Sequence, residues 1–173
     1  MSKVRQLRYG VAMSLDGFIA GPNGEYDWIK IDPSFDFVAL YREFDTQLMG
    51  RHTYEVMLER GMSPGAMGLQ PYVVSSRLDA NAHKGIRIIN GDIAAKVRAL
   101  KEQSGKNIWL FGGAQLFRAL LDAGLVDAVD VSVMPVLLGS GVPLVPEGQR
   151  RHLQLDEHRA LPNGSLTLRY RVC

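Results

Sequence analysis

The sequence predicts an α/β protein, a mostly parallel central sheet flanked by helices, with an antiparallel hairpin at its C-terminal end. Three observations lead there. Apolar runs of strand length alternate with amphipathic stretches of helical spacing as far as Ala123, and a helix between two strands implies a parallel crossover. From Val129 the apolar period changes to two, with Val129, Val131 and Val133 alternating with Asp130 and Ser132. Leu153 and Leu155, then Leu166, Leu168 and Tyr170, flank Pro162-Asn163-Gly164, a strong turn signal between two strands.

Taken in order, Leu7-Arg8-Tyr9-Gly10-Val11-Ala12 reads as a first, central strand. Gly21-Pro22-Asn23-Gly24 is a loop by its turn chemistry. Phe35, Val38, Ala39 and Arg42 keep helical spacing, which predicts a helix from Ser34 to Phe44 with Ser34 as N-cap. A short strand at 46–49 precedes a helix from Thr53 to Arg60, which Gly61 ends. Strands follow at 71–75 and 86–89. Asp92 caps a helix reaching about Gln103, with Ile93, Val97 and Leu100 on one face. A buried-type strand at 107–111 turns through Gly112-Gly113 into a helix from Ala114 to Ala123. Crossovers among the early strands are expected to be right-handed.

With 173 residues, 46% apolar and 22% charged, the chain reads as a single folded domain over 1–173, which excludes wholesale disorder and fibrous repeats. Its net charge of +2 is too mild to argue for nucleic acid or an anionic membrane. The lone cysteine, Cys173, cannot close an internal disulfide, which fits a cytoplasmic protein. Lys3, Arg5 and Arg8 open the chain, but Asp16 cuts the apolar stretch after them, so no secretory signal is expected. The uncharged run Val131 to Pro146, which no other run exceeds, holds Pro135, Gly139, Gly141 and Pro143 and reads as strand and loop rather than a membrane helix. His52, His83, His152 and His158 are scattered, and no zinc set is expected. The H-x-E and P-C-x-x-C deaminase signature and G-x-S-x-G are both absent.

Open α/β sheets bind ligands at the carboxyl ends of their strands. Four such ends carry polar, small or glycine residues. In Phe111-Gly112-Gly113-Ala114-Gln115-Leu116-Phe117, two glycines stand at a strand-to-helix switch. They serve either a tight turn or close approach of the backbone to a diphosphate at a helix start. Gly50-Arg51-His52-Thr53 offers a guanidinium suited to a phosphate, or else a solvated arginine and a capping threonine. Ser75-Ser76-Arg77 is a third oxyanion set or a plain surface turn. Together the three would engage a diphosphate and one further phosphate, which describes NADPH. The fourth end, Ala12 to Ala20 with Asp16 and Ile19, followed by Trp28, could wall a flat ring or simply be core.

Ser14-Leu15-Asp16-Gly17-Phe18-Ile19-Ala20, Gly50-Arg51-His52-Thr53-Tyr54-Glu55, Ser75-Ser76-Arg77 and the Phe111–Phe117 segment, in that order, resemble the dihydrofolate reductase-like superfamily. Pro135-Val136-Leu137-Leu138-Gly139-Ser140-Gly141-Val142-Pro143-Leu144 is similar to the branch containing the reductase domain of the bifunctional riboflavin-biosynthesis deaminase/reductase. The resemblance implies a three-layer fold of that kind. It implies that Gly112 and Gly113, joined by a cis peptide, lie under the coenzyme diphosphate with Thr53 and the adjoining Gly50, Phe111, Ala114, Gln115 and Leu116. Arg51, Ser75, Ser76 and Arg77 would grip the 2′-phosphate. Ala12, Ile19 and Ala20 would line the nicotinamide.

For the proton, the resemblance points to a carboxylate on the first helix. Asp36 lies near that place, with Asp32 and Asp27 as rivals, and Asp36 is equally readable as an early-helix residue favoured by the dipole. Asp16, Asp27 and Trp28 are the expected substrate contacts. The implied activity is NADPH-dependent reduction of a small heterocyclic or sugar-pyrimidine substrate, such as the ribosylamino-pyrimidine phosphate of riboflavin synthesis. Dihydrofolate reduction is the alternative, and a non-catalytic NADPH-binding protein is an alternative of another class. A homodimer formed through the Val129–Val133 segment and the terminal hairpin is also expected.

Overall fold

The computed structural model describes residues 4–173, so Lys3 of the basic N-terminal cluster lies outside them. The strands are β1 (Leu7–Ser14), β2 (Phe18–Ala20), β3 (Phe44–Gly50), β4 (Gln70–Val74), β5 (Arg87–Ile89), β6 (Asn107–Gly112), β7 (Ala128–Met134), β8 (Val142–Pro143), β9 (Leu153–Ala160) and β10 (Leu166–Val172). The helices are α1 (Phe37–Arg42), α2 (Arg51–Glu59), α3 (Ile93–Glu102) and α4 (Ala114–Asp122). One eight-stranded sheet runs in the order β5-β4-β3-β6-β1-β7-β10-β9. From β5 to β7 every pairing is parallel, whereas β10 is antiparallel to both β7 and β9. The predicted mixed sheet with a terminal hairpin is what forms.

From β1 the chain steps through β3 and β4 towards one edge, then returns through β6 and β7 towards the other. Right-handed crossovers in opposite directions place their helices on opposite faces, and side-chain alternation along the strands agrees. Leu7 and Tyr9 of β1, Leu48 of β3, and Ile108 and Leu110 of β6 pack with Val97 and Leu100 of α3 and Phe117 and Leu120 of α4. On the other face, Phe44 and Trp109 pack with Leu40 and Tyr41 of α1, and Met49 and Val73 with Tyr54 and Met57 of α2. Gly10 is needed in the central strand, because a Cβ there would stand 2.4 Å from Trp109 Nε1. That indole N–H donates to the Gly10 carbonyl at 3.2 Å.

Asp92 caps α3 as the sequence predicts, accepting from Ala95 N–H at 2.9 Å. The first helix departs from expectation at both ends. It covers only Phe37–Arg42 and its N-cap is Asp36, which accepts from Ala39 N–H at 2.9 Å. Ser34 is not the cap: it lies in a preceding turn, its N–H held at 2.8 Å by the Asp32 carboxylate, and helical bonding starts with Leu40 N–H on the Asp36 carbonyl. Phe44 leaves the helix to pair with Asn107 in the sheet. The next helix starts at Arg51 with Gly50 as N-cap, so Thr53 lies in its first turn rather than capping it. The small β2–β8 ladder has no counterpart in the sequence reading.

Candidate functional site

Strand register brings three of the four expected segments onto one edge. Gly50 pairs with Val74, and Met49 with Gly112, so the carboxyl ends of β4, β3 and β6 stand side by side. Arg51, Ser75, Ser76 and Arg77 line a common trough of about 500 Å³. Asn90, Gly91 and Ile93, at the head of α3, complete its wall. The sequence reading missed these three, although they follow β5 by the same strand-end rule that found the others.

Within the trough the groups differ in role. Arg51 gives one guanidinium nitrogen to Glu55 at 2.6 Å, and its other N–H groups have no partner among the described residues. Ser75 is buried, and its Oγ accepts from Arg77 N–H and Leu78 N–H, both at 3.0 Å. That fixes the turn and leaves the Ser75 hydroxyl hydrogen to donate. Ser76 and Arg77 are exposed.

Thr53 and the two glycines form the adjoining floor. The Gly112–Gly113 peptide is cis, and Gly112 has φ of +136°, a region that favours glycine. A Cβ on Gly113 would come within 3.3 Å of Thr53 Oγ1, and one on Gly50 within 3.8 Å of Gly113 N. Backbone therefore lines the cradle, and of the two added carbons only the one on Gly113 would crowd its neighbour. Gly113 is the N-cap of α4 and has no side-chain cap, leaving first-turn N–H groups free to meet an anion. In that turn Ala114 and Leu116 are buried, whereas Gln115 is exposed. Phe111 is half-buried and packs against both the Met49 and the Trp109 clusters.

Beyond the glycines the sheet parts. Pairing between β1 and β6 ends at Tyr9–Leu110, while β1 stays paired with β7 as far as Ser14–Met134. This split is where crossover direction reverses, the place open sheets use for ligands. Ala12, Ile19 and Ala20 are half-buried on its β1 side. Ala20 is held by pairing with Val142, and Gly141 approaches so closely that a Cβ on it would lie 2.1 Å from the Ala20 carbonyl.

The four carboxylates separate by environment. Asp16 accepts from Ser14 Oγ at 2.6 Å, Leu138 N–H at 3.1 Å and Gly139 N–H at 2.7 Å, and these bonds, Ser14 first, hold its pKa down at about 2. It fastens the loop after β7 to the end of β1. Asp32 is buried and accepts from Ser34 N–H and from Asn163 N–H at 2.9 Å; hydrogen bonds, those of Ser34 foremost, keep its pKa below the ordinary carboxylate range. Asp36 is exposed, with one oxygen on its own helix. Asp27 is also exposed, and half-buried Trp28 donates its Nε1–H to the Glu25 carbonyl at 3.0 Å. Neither of these last two belongs to the group lining the trough.

Among the described residues, no three or more His, Cys, Asp or Glu side chains gather to hold a metal ion, and no helix is long and apolar enough to cross a membrane.

Comparison with known proteins gives this edge a context. The Bacillus subtilis (strain 168) proteins YyaP and YwjB, both named as uncharacterized, are similar to the chain. YyaP is 33% identical across 97% of the chain and 95% of its own length, and YwjB is 34% identical across 79% and 80%. The fold is similar to that of a Shewanella sp. PV-4 protein solved as a candidate riboflavin-biosynthesis protein (TM-score 0.83, 23% identity, 100% and 99% coverage). It is also similar to Enterococcus faecalis dihydrofolate reductase solved with NADP(H) (0.72, 17%, 99% of both chains). Against the Thermotoga maritima bifunctional deaminase/reductase (0.73, 16%), the chain is covered over 98% but spans 57% of that longer protein. These likenesses establish the dihydrofolate reductase-like fold. The family model of the RibD C-terminal domain matches residues 5–167, and the chain belongs to that reductase family.

Proposed function

We propose that this reductase uses NADPH to reduce a small heterocyclic or sugar-pyrimidine substrate of the kind handled in riboflavin biosynthesis. The observation that carries the reading is the shared trough of Arg51, Ser75, Ser76 and Arg77 beside a glycine floor that a Cβ on Gly113 would crowd. Two guanidinium groups and two hydroxyls suit a phosphate monoester. The glycine backbone and the α4 N-terminus suit a diphosphate. Both features together fit NADPH and leave NADH without a partner for the arginines.

Bound NADPH would supply a hydride. Arg51 and Arg77 would hold the 2′-phosphate, Ser75 would donate its hydroxyl hydrogen to it, and Thr53 with Gly113 would seat the diphosphate. Ala12, Ile19 and Ala20 would form an apolar wall at the split between β1 and β6, orienting a flat ring and excluding water from it. Asp36 stands at the start of α1 with one carboxylate oxygen free of the helix, and we assign it the substrate-side acid–base role. Asp16 and Asp32 act as loop fasteners.

Dihydrofolate reduction is less well supported. A pterin ring is pinned by a buried, available carboxylate, whereas the one buried carboxylate among the described residues, Asp32, already accepts from Ser34 and Asn163. A homodimer would use β9, whose eight residues are all exposed at the sheet edge. The Val129–Val133 segment cannot provide that edge, because β7 is enclosed by β1 and β10.

The test is loss of NADPH absorbance with 5-amino-6-(5-phosphoribosylamino)uracil and, separately, with dihydrofolate. Oxidation with the pyrimidine supports the reading. Thermal stabilisation by NADPH with no oxidation by either compound would favour the non-catalytic class. A ligand at a hundredfold excess over its dissociation constant stabilises by about 2.7 kcal/mol, and absence of any such shift would overturn NADPH binding itself.

A further inference from the structure

We propose that His83, through Tyr54, is a positioning residue that sets the spacing between the two guanidinium groups of the trough and so contributes to recognition of the 2′-phosphate. This rests on the coenzyme reading given above. Arg51 and Tyr54 are three residues apart on α2, hence neighbours on its surface. The Tyr54 ring is buried against Met49, Met57 and Val73. Its hydroxyl stands 3.0 Å from His83 Nδ1, and the two rings meet edge-on with centroids 5.5 Å apart.

His83 belongs to the segment between β4 and β5 that carries Ser76 and Arg77. Other anchors hold that segment to the core. Ser75 N–H donates to the Ile89 carbonyl at 2.9 Å, and Leu78 and Ile86 pack into the Tyr54 cluster. The Ser75 bond ties the strand end to β5 and not to α2, and the apolar contacts of Leu78 and Ile86 tolerate sliding, whereas a hydrogen bond is directional. Among the described residues, Tyr54–His83 is the one side-chain hydrogen bond joining this segment to α2. It therefore registers the element bearing Arg77 against the element bearing Arg51. Burial raises the Tyr54 pKa, so the hydroxyl keeps its proton. None of His83, Tyr54 or their rings lines the trough itself, so the effect is indirect.

Calorimetric titration of the full chain with NADPH and NADH, for wild type, Tyr54→Phe, His83→Ala, the double variant and His83→Asn, tests this. Tyr54→Phe and His83→Ala should each weaken NADPH by about three- to tenfold, the order expected for one lost hydrogen bond. NADH should change by less than about twofold. The double variant should lose no more than either single change, and His83→Asn, whose amide can both donate and accept in place of Nδ1, should recover most of the loss. Equal weakening of both coenzymes, or no weakening, would overturn the proposal while leaving the wild-type preference intact. A wild type with no preference for NADPH would overturn the coenzyme reading and this inference with it. His83 is on a partly exposed segment and Tyr54→Phe keeps the packed ring, so a folded variant is available in either arm.

Discussion

Thr53 and Gly113 face each other on the floor beside the trough, with Thr53 Oγ1 only 3.3 Å from the point a Gly113 Cβ would occupy. The two residues come from different strand ends, β3 and β6, and a Cβ on Gly113 would press on the Thr53 hydroxyl, which would have to give way. Gly113→Ala should therefore weaken NADPH and NADH alike, since both carry the diphosphate. The expected loss is about tenfold, ~1.4 kcal/mol, within the usual cost of overpacking. Calorimetry with both coenzymes checks it, and unchanged affinity would remove the glycine floor from the account.

Asp16 makes its three hydrogen bonds as a carboxylate, which lowers its pKa from the ordinary 3.8 to about 2. Its contribution to stability is then present above pH 3.8 and is lost as pH falls towards 2. Asp16→Asn removes one acceptor and that pH dependence. Amide hydrogen exchange should quicken at Leu138 and Gly139, and the acid limb of the melting curve should flatten. Unaltered protection at these two amides would show that the loop after β7 is held by other contacts.

Tyr9 lies fully buried in the central strand, stacked on Phe117 at 3.9 Å, and its hydroxyl has no hydrogen-bond partner among the described residues. Burial alone raises its pKa. A buried unsatisfied hydroxyl costs about 1–3 kcal/mol. Tyr9→Phe should stabilise the protein by about 1 kcal/mol, raising Tm by about 2–4 °C for a chain of this size. A lower Tm would mean the hydroxyl is satisfied in solution.

Leu155 is 46% exposed on β9 and pairs with Tyr170 of β10. On the proposed homodimer it faces the partner. Leu155→Lys should shift the mass measured by light scattering from dimer to monomer while leaving the coenzyme affinity in place. A monomeric wild type would refute the assembly outright.

The parts of this fold that were legible in the sequence are those written locally. Asp92 ahead of Ile93, Val97 and Leu100 announces a capped amphipathic helix, and Asn163-Gly164 announces a hairpin, because cap, period and turn all lie within a few residues. The strand-end motifs were legible because topology, once parallel, brings carboxyl ends together. Other features depend on distant partners. Ser34 and Asp36 are both good N-caps by type, and the choice falls to Asp36 because the chain at Ser34 is still in the turn that Asp32 holds. Asp16 finds the amides of Leu138 and Gly139 across more than a hundred residues of chain, so nothing beside it announces these two bonds. The β2–β8 ladder is too short for a periodic signal.

The central claim is that Arg51 and Arg77 recognise the phosphate distinguishing NADPH from NADH. It is tested most directly by the ratio of NADH to NADPH dissociation constants in wild type and in the Arg51→Ala/Arg77→Ala variant. Loss of two charge-assisted contacts should bring a ratio of at least about tenfold down close to one, chiefly by weakening NADPH. A variant that keeps the wild-type ratio would contradict the account.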